Sequence, residues 1–229
     1  MSYWSDWVPA SCLPNCWCEL PHLDSFVVEP ANTWSNVFFF LVAYQVFKTS
    51  KLGVKKHLDR FYLKLTAFSF LFLGGASVFF HASLTFWGQV FDLIGMYAVV
   101  TNFILLLLGL HKKVTFRIYI GIYVLVNLIL GAVIVQLPTF RRELFSVIMA
   151  TLVISSVVDF VKHSKEKNIK HLMVSISLFL LATAAWMIDY YKIICNETLL
   201  VNGHCFWHLF VALSGYYYYK YLCFSTKKC

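Results

Sequence analysis

The sequence predicts an all-α integral membrane protein with seven transmembrane helices. Of its 229 residues, 60% are hydrophobic and only 13% are charged, and a soluble domain of this size cannot bury that much apolar surface. Seven apolar stretches are each close to the about 20 residues that a helix needs to cross about 30 Å of hydrocarbon. They cover 30–47, 61–84, 87–110, 116–136, 144–161, 171–190 and 203–224.

The first stretch is the weakest of the seven, because Asn32, Thr33, Ser35 and Asn36 open it with polar groups. No composition shift, repeat or linker indicates a second domain, so we expect residues 1–229 to form a single domain. Residues 1–29 precede the first helix and residues 225–229 form a short tail.

The basic residues predict the direction of the helices. The loops after the first, third and fifth helices and the tail hold 16 of the 19 Lys and Arg residues. The other side holds only Arg141, Arg142 and Lys192. The positive-inside rule then predicts an N-terminus outside and a C-terminus in the cytoplasm, which requires an odd number of helices. The net charge of +8 therefore reflects membrane topology, and we expect no nucleic-acid partner and infer no protein partner.

Three histidines lie near the ends of apolar stretches. His204 and His208 are spaced i,i+4, so they project from one face of the seventh helix, and His81 is near the end of the second. Ionisable groups are costly inside a bilayer and indicate function there. Three imidazoles and one open position form the ligand set of a catalytic zinc ion. Alternatively, these histidines could only form hydrogen bonds between packed helices.

In the predicted topology, several polar side chains share one layer near the outer surface. They are Ser77, His81, Asp92, Asp189, His204 and His208. Asp92 could act as a base or only neutralise a histidine, and Ser77 could serve close helix packing beside Gly74 and Gly75. Asp189, at a membrane edge, could instead cap or anchor its helix.

These motifs resemble the alkaline ceramidase family, within a superfamily of seven-span membrane hydrolases that has adiponectin-receptor-like and GPI-remodelling branches. The matching pieces, spread in family order over most of the chain, are Cys18-Glu19, Glu29-Pro-Ala-Asn-Thr-Trp-Ser-Asn36, Ser77-Val-Phe-Phe-His81 with Asp92 and Met96, Trp186-Met-Ile-Asp189, and Gly203-His-Cys-Phe-Trp-His208. The Glu-Pro-Ala-Asn-Thr-Trp-Ser-Asn form is similar to bacterial members, so we expect a bacterial inner membrane more than an ER or Golgi membrane.

The resemblance implies a zinc ion held by His81, His204 and His208, with Ser77 and Asp92 beside the zinc-bound water. It also implies an amide-linked lipid substrate, such as ceramide, that is cleaved to a fatty acid and a sphingoid-type amine. In this reading Asp92 transfers the proton and Ser77 donates to the developing oxyanion. Asp189 is a candidate acceptor for a ring N–H of a ligand histidine.

Calcium is a second cofactor that the resemblance raises. Animal members are similar in having a calcium site built from the N-terminal stretch and a Glu at the start of the first helix, and Glu19 and Glu29 match it. However, Cys16 and Pro21 occupy positions where the family often has Asp and Asn. Calcium binding is therefore in doubt for this chain. Glu29 could simply place a favourable charge at a helix N-terminus.

The cysteines suggest disulfides on the outer side, where oxidising conditions are usual. The resemblance implies a bridge between Cys18 and Cys195. A second bridge, from Cys12 or Cys16 to Cys205, is a weaker expectation.

Three alternative functions remain open. A lipid esterase or acyl hydrolase could use the same metal site, because the sequence does not separate amide from ester cleavage. A seven-span receptor could hold a structural zinc, but Asp92 near the metal argues against it, since structural sites need no base and are closed by four ligands. A transporter is disfavoured because the polar groups cluster at one depth.

Overall fold

The computed structural model describes residues 3–14, 16–51, 60–109, 114–163, 169–195 and 201–224. These residues form eight α-helices and a 3-10 turn, and the only β-type pairing among them is an isolated bridge between Pro9 and Thr85. The helices are α1 (Pro30–Ser35), α2 (Val37–Lys51), α3 (Arg60–Ser83), α4 (Phe86–Gly109), α5 (Phe116–Gln136), α6 (Arg141–His163), α7 (Ile169–Tyr190) and α8 (Gly203–Phe224). The expected tail at 225–229 lies outside the described residues, as do the basic loop residues at 55–56, 112–113, 165–167 and 227–228.

Each predicted apolar stretch coincides with a long helix. The first stretch is divided at Asn36, because the polar opening forms the short helix α1 and the apolar remainder forms α2. Within the described residues, five helical segments are long and apolar enough to cross a membrane, namely Phe61–Ser83, Phe86–Gly109, Phe116–Gln136, Pro138–His163 and Ile169–Tyr190. The chain is therefore an α-helical integral membrane protein, while seven crossings and the direction of the termini stay predictions.

The burial of the helices fits a bilayer. The apolar windows of α3 and α4 are mostly buried inside the bundle, whereas those of α5, α6 and α7 are mostly exposed although they are as apolar. Such extended apolar surface is rare on soluble monomers. Such surface on α5, α6 and α7 is suited to contact with lipid.

Two glycines of α4 bring this helix against α3. A Cβ atom on Gly95 would lie 2.8 Å from the Cα of Leu73, and one on Gly88 would lie 2.9 Å from the Cα of Phe80. The two glycines are seven residues apart, which is about two turns, so they share one face of α4. Because the chain directions are opposite, the two close contacts fix an antiparallel register between the helices.

The N-terminal segment, residues 3–14 and 16–29, packs on one end of the bundle. Its backbone N–H groups pair with carbonyls at the end of α3 and just after it: Val28 N–H donates to Ala82 O at 3.0 Å, and Ala10 N–H donates to Leu84 O at 2.8 Å. These bonds satisfy carbonyls that a helix end leaves without partners. This end, which we call the site end, also contains the start of α4, the end of α7 and the start of α8.

Two disulfides hold the N-terminal segment. Cys18–Cys195, the pair that the resemblance implies, joins it to the residues after α7, across 177 positions of sequence. The second bridge is Cys12–Cys16, so the expectation of a bond to Cys205 was wrong. The reason is proximity, because the Cα atoms of Cys12 and Cys16 lie 4.7 Å apart in a turn, while Cys205 is buried within α8.

Candidate metal centre

Three histidines meet at the site end. His81 comes from the last turn of α3, and His204 and His208 come from the first two turns of α8. All three side chains are buried, and one possible ligand atom from each lies within 4.8 Å of the others. The Nε2 atoms of His81 and His204 are 3.2 Å apart. Two nitrogens bound at about 2.0–2.1 Å to one tetrahedral ion lie roughly 3.3 Å apart, so this spacing suits a shared ion.

The start of α8 is set by two side-chain acceptors. Asn202 Oδ1 accepts the N–H of Cys205 at 3.0 Å, and Asp189 Oδ2 accepts the N–H of His204 at 3.1 Å. These acceptors satisfy N–H groups that the first turn of a helix leaves unpaired. Because α8 begins at Gly203, both histidines lie in its first two turns. Their i,i+4 spacing places them one turn apart on the face toward His81.

Two of the three rings are oriented by hydrogen bonds to their outer nitrogens. His81 Nδ1 lies 2.6 Å from Glu29 Oε2, and His208 Nδ1 lies 2.7 Å from Ser35 Oγ. A ring that donates from Nδ1 to a carboxylate carries a free lone pair on Nε2, which is the tautomer that binds a metal. The structure therefore surrounds the centre with the partners that ligating histidines usually have.

The third ring is held differently. His204 Nδ1 is buried, and no described side chain or backbone group makes a hydrogen bond with it. Its face stacks on the indole of Trp17, with ring centroids 3.7 Å apart and planes inclined by 26°. Trp17 is a residue of the N-terminal segment that the sequence did not single out.

These observations fit a metal ion. Three buried imidazoles whose nitrogens converge are costly unless something uses their lone pairs. Imidazole suits zinc, copper, iron and nickel, and three protein ligands leave a coordination position open. The residues present therefore could hold such an ion, zinc among them.

Ser77 and Asp92 meet each other at the same end of the bundle as the histidines. Ser77 is one turn before His81 on α3 and is 1% exposed. The register that places Gly95 at Leu73 also sets Asp92 opposite Ser77, and the Ser77 side chain is within hydrogen-bonding reach of the Asp92 carboxylate. The expected pair is thus brought together by helix packing.

Asp189 has a role that differs from the expected one. Its carboxylate accepts the backbone N–H of Cys18 at 2.9 Å and that of His204 at 3.1 Å, and it bonds to no ligand ring. The reason is its position at the end of α7, against the unpaired N–H groups that open α8. The ring acceptors are Glu29 and Ser35. Ser35 is part of the polar opening of the first stretch, and this polarity was the signal for its buried contact.

Glu19, in the N-terminal segment, caps the N-terminus of α1. Its two carboxylate oxygens accept the first N–H groups of this helix at 2.7 and 2.8 Å. Burial raises the pKa of Glu19, and these two hydrogen bonds oppose the rise. Cys16 is in a disulfide, Pro21 has no side-chain donor atom, and Glu29 is engaged by His81. Glu29 Oε1 is buried with no hydrogen-bond partner among the described residues, so the doubt about calcium at Glu19 and Glu29 stays a prediction from the sequence.

Comparison with known proteins agrees with this geometry. A model of the family described as ceramidase matches residues 15–228, a range that includes every residue of the centre described above. The chain is also similar to the "Putative alkaline ceramidase dcd3B" of Dictyostelium discoideum, with 25% identity over 258 aligned positions that cover 96% of this chain and 88% of that protein. The match over most of its length shows that the chain belongs to the ceramidase family.

Proposed function

We propose that this protein is a zinc-dependent lipid amide hydrolase of the membrane, which cleaves ceramide or a related N-acyl lipid to a fatty acid and a sphingoid-type amine. The observation that carries the proposal is the convergence of His81, His204 and His208, one turn along α3 from Ser77, whose side chain meets Asp92. Membership of the ceramidase family supports hydrolysis of a lipid amide. A zinc ion held by the three imidazoles would lower the pKa of water to about 7 and polarise the amide carbonyl.

Asp92 is the proposed proton carrier. Its carboxylate takes a proton from the attacking water as the new C–O bond forms. It then gives that proton to the amide nitrogen as the C–N bond breaks, so the amine leaves neutral. An amine needs this proton because the amide anion is a poor leaving group. The net change consumes one water and one amide bond.

Ser77 has one hydroxyl proton, and its contact with Asp92 determines where that proton points. While Asp92 is ionised, the hydroxyl of Ser77 donates to it. Once Asp92 has accepted a proton, it can donate to Ser77, and the Ser77 proton becomes free for the oxyanion that develops on the substrate. The pair thus links proton transfer to oxyanion stabilisation, and a donor of this kind is worth about 2.7–4 kcal/mol in the transition state.

An apolar groove provides a place for an acyl chain. It has a volume of about 460 Å³ and lies along α3 on the residues just before Ser77. Its lining consists of Phe68, Leu71, Phe72, Gly75, Ala76, Phe79 and Phe91. An acyl chain in this groove would keep the polar head of the lipid near the depth of the histidines.

The test is a substrate panel. Purified protein loaded with zinc is incubated with ceramides, other N-acyl lipids and ester lipids, and the products are identified by mass spectrometry. Release of fatty acid and amine from an N-acyl lipid is expected. Cleavage of ester lipids alone would favour the acyl-hydrolase alternative, and no turnover with zinc bound by four protein groups would favour a receptor. The bacterial inner membrane stays a prediction, which fractionation of the source cells tests.

A further inference from the structure

The environment of His204 is unlike that of the other two histidines. Glu29 and Ser35 hold the rings of His81 and His208 by hydrogen bonds to Nδ1. Nδ1 of His204 has no such bond among the described residues. A ring without this bond is free to rotate about its χ2 torsion unless packing restrains it. The indole of Trp17 lies over its face at 3.7 Å and supplies that restraint.

We propose that Trp17 is a positioning residue that orients the His204 ring toward the metal centre by stacking on it. The inference rests on the metal centre proposed above. Stacking suits a metal ligand in particular, because an imidazole that gives electron density to a cation becomes electron-poor, and the face of an indole attracts electron-poor groups. The contact therefore favours the metal-loaded state over the empty one.

Trp17 lies in a loop, but disulfides at both neighbouring residues restrain its backbone. The residue before it, Cys16, is cross-linked to Cys12, and the residue after it, Cys18, is cross-linked to Cys195. The N–H of Cys18 also donates to Asp189 at 2.9 Å, and Asp189 accepts the N–H of His204 with its other oxygen. One carboxylate thus ties the backbone beside the indole to the backbone beside the imidazole, which keeps the two rings in register.

The environment of the indole also points to a built contact. Trp17 Nε1 is buried and has no hydrogen-bond partner among the described residues, and the ring meets Tyr190 edge-on at 6.4 Å. Burying an indole N–H without a partner is unfavourable, since buried tryptophans usually find one. The stack on His204 offsets this cost. We therefore attribute the position of the indole to its contact with the His204 ring.

The experiment compares variants of Trp17 in the purified full-length protein. Trp17→Phe keeps an aromatic face, and Trp17→Leu keeps apolar bulk without one. Trp7→Leu is the control, because Trp7 belongs to the same segment but packs on Trp4 and Phe79 away from the histidines. Zinc affinity is measured by competition with a chelator, thermal unfolding by circular dichroism, and ligand geometry by the visible spectrum of the cobalt-substituted protein.

The expected result is that Trp17→Leu binds zinc about 10-fold more weakly and changes the cobalt spectrum, while Trp17→Phe stays within about threefold of the native protein. Trp7→Leu should leave affinity and spectrum unchanged. Native affinity and spectrum in Trp17→Leu would overturn the inference, and so would an equal loss in Trp7→Leu. If Trp17→Leu does not fold, Trp17→Met replaces it with the same expectation.

A further variant separates this inference from the proposed metal centre. His208→Ala removes a proposed ligand and should abolish tight zinc binding. Native zinc affinity in His208→Ala would refute the metal centre itself, whereas loss in His208→Ala with no change in Trp17→Leu would refute only the role of Trp17.

Discussion

The carboxylate of Glu29 lies 2.6 Å from Nδ1 of His81, although 52 residues separate them in sequence. The backbones of the same two residues are also joined, because Glu29 N–H donates to His81 O at 3.0 Å. Glu29 thereby caps the end of α3 and orients a side chain of that end. The sequence offered two other readings of Glu29, a calcium ligand or a favourable charge at a helix N-terminus, and the structure gives it a direct contact with the candidate centre.

Replacing Glu29 tests this contact. Glu29→Gln keeps the size of the side chain but removes the anion that His81 Nδ1 faces, so we expect zinc affinity to fall about 10- to 100-fold. Chelator competition measures the change. Glu143→Gln is the control, since Glu143 is an exposed acid at the start of α6. An unchanged affinity in Glu29→Gln would show that this carboxylate does not tune the histidine.

Asp92 separates metal binding from turnover. Asp92→Asn keeps the shape of the side chain but cannot carry the proton, so we expect full zinc content with ceramide turnover lowered about 10²- to 10⁴-fold. Metal analysis and a hydrolysis assay on the same preparation measure both. Near-native turnover in Asp92→Asn would exclude it as the proton carrier.

Ser77 is tested in the same way. Ser77→Ala removes the hydroxyl that faces Asp92, and we expect turnover to fall about 10²- to 10³-fold with zinc retained. The larger part of the loss should appear in kcat, because the bond to the oxyanion forms only in the transition state. A loss confined to KM would indicate that Ser77 acts in substrate binding instead.

The close approach of α3 and α4 should depend on Gly95. Gly95→Ala places a methyl group 2.8 Å from the Cα of Leu73, so the helices must separate, and we expect destabilisation by about 1–3 kcal/mol with reduced turnover. Thermal unfolding followed by circular dichroism measures the first effect. Gly121→Ala is the matched control, because nothing lies within 4 Å of its added Cβ in α5. A Gly95→Ala protein as stable as the control would contradict the register described here.

The long-range disulfide should stabilise the site end. Cys195→Ser opens a cross-link that closes 177 positions of chain, so we expect a loss of about 2–5 kcal/mol in unfolding free energy and weaker zinc binding. Unfolding with and without a thiol reductant provides the comparison. Complete reduction of the native protein opens this bridge and Cys12–Cys16 together, so it should destabilise the protein at least as much as Cys195→Ser does in oxidising buffer. A native protein that complete reduction leaves equally stable would contradict the stabilising role of the bridge.

Much of the fold could be predicted from the sequence, because the positions of the helices depend on local apolar composition. The i,i+4 spacing of His204 and His208 already placed them on one face, and the order of the helices brought Ser77 and Asp92 to the same end. Apart from the Cys18–Cys195 bridge that the resemblance implied, the contacts of the N-terminal segment could not be predicted, because this segment has no hydrophobic periodicity. Trp17 meets His204 only because this segment folds back over α3 and α8, and Ser35 meets His208 across 173 positions because α1 packs beside α8.

Asp189 shows a second limit of sequence reasoning. Its identity and place indicated an acceptor near the ligand histidines, and the structure puts it there. The donor that bonds to Asp189 depends on how the ends of α7 and α8 pack together. This packing cannot be predicted from the local sequence. The backbone N–H of His204 is within reach, and the ring nitrogen is not bonded.

The zinc content of His81→Ala tests the central claim most directly, because this variant removes the one proposed ligand that comes from α3 while leaving the pair on α8 intact. Metal analysis of the purified native protein should find one zinc per chain. We expect His81→Ala to lose both the zinc and ceramide hydrolysis. A His81→Ala protein that keeps a full equivalent of tightly bound zinc would contradict this expectation.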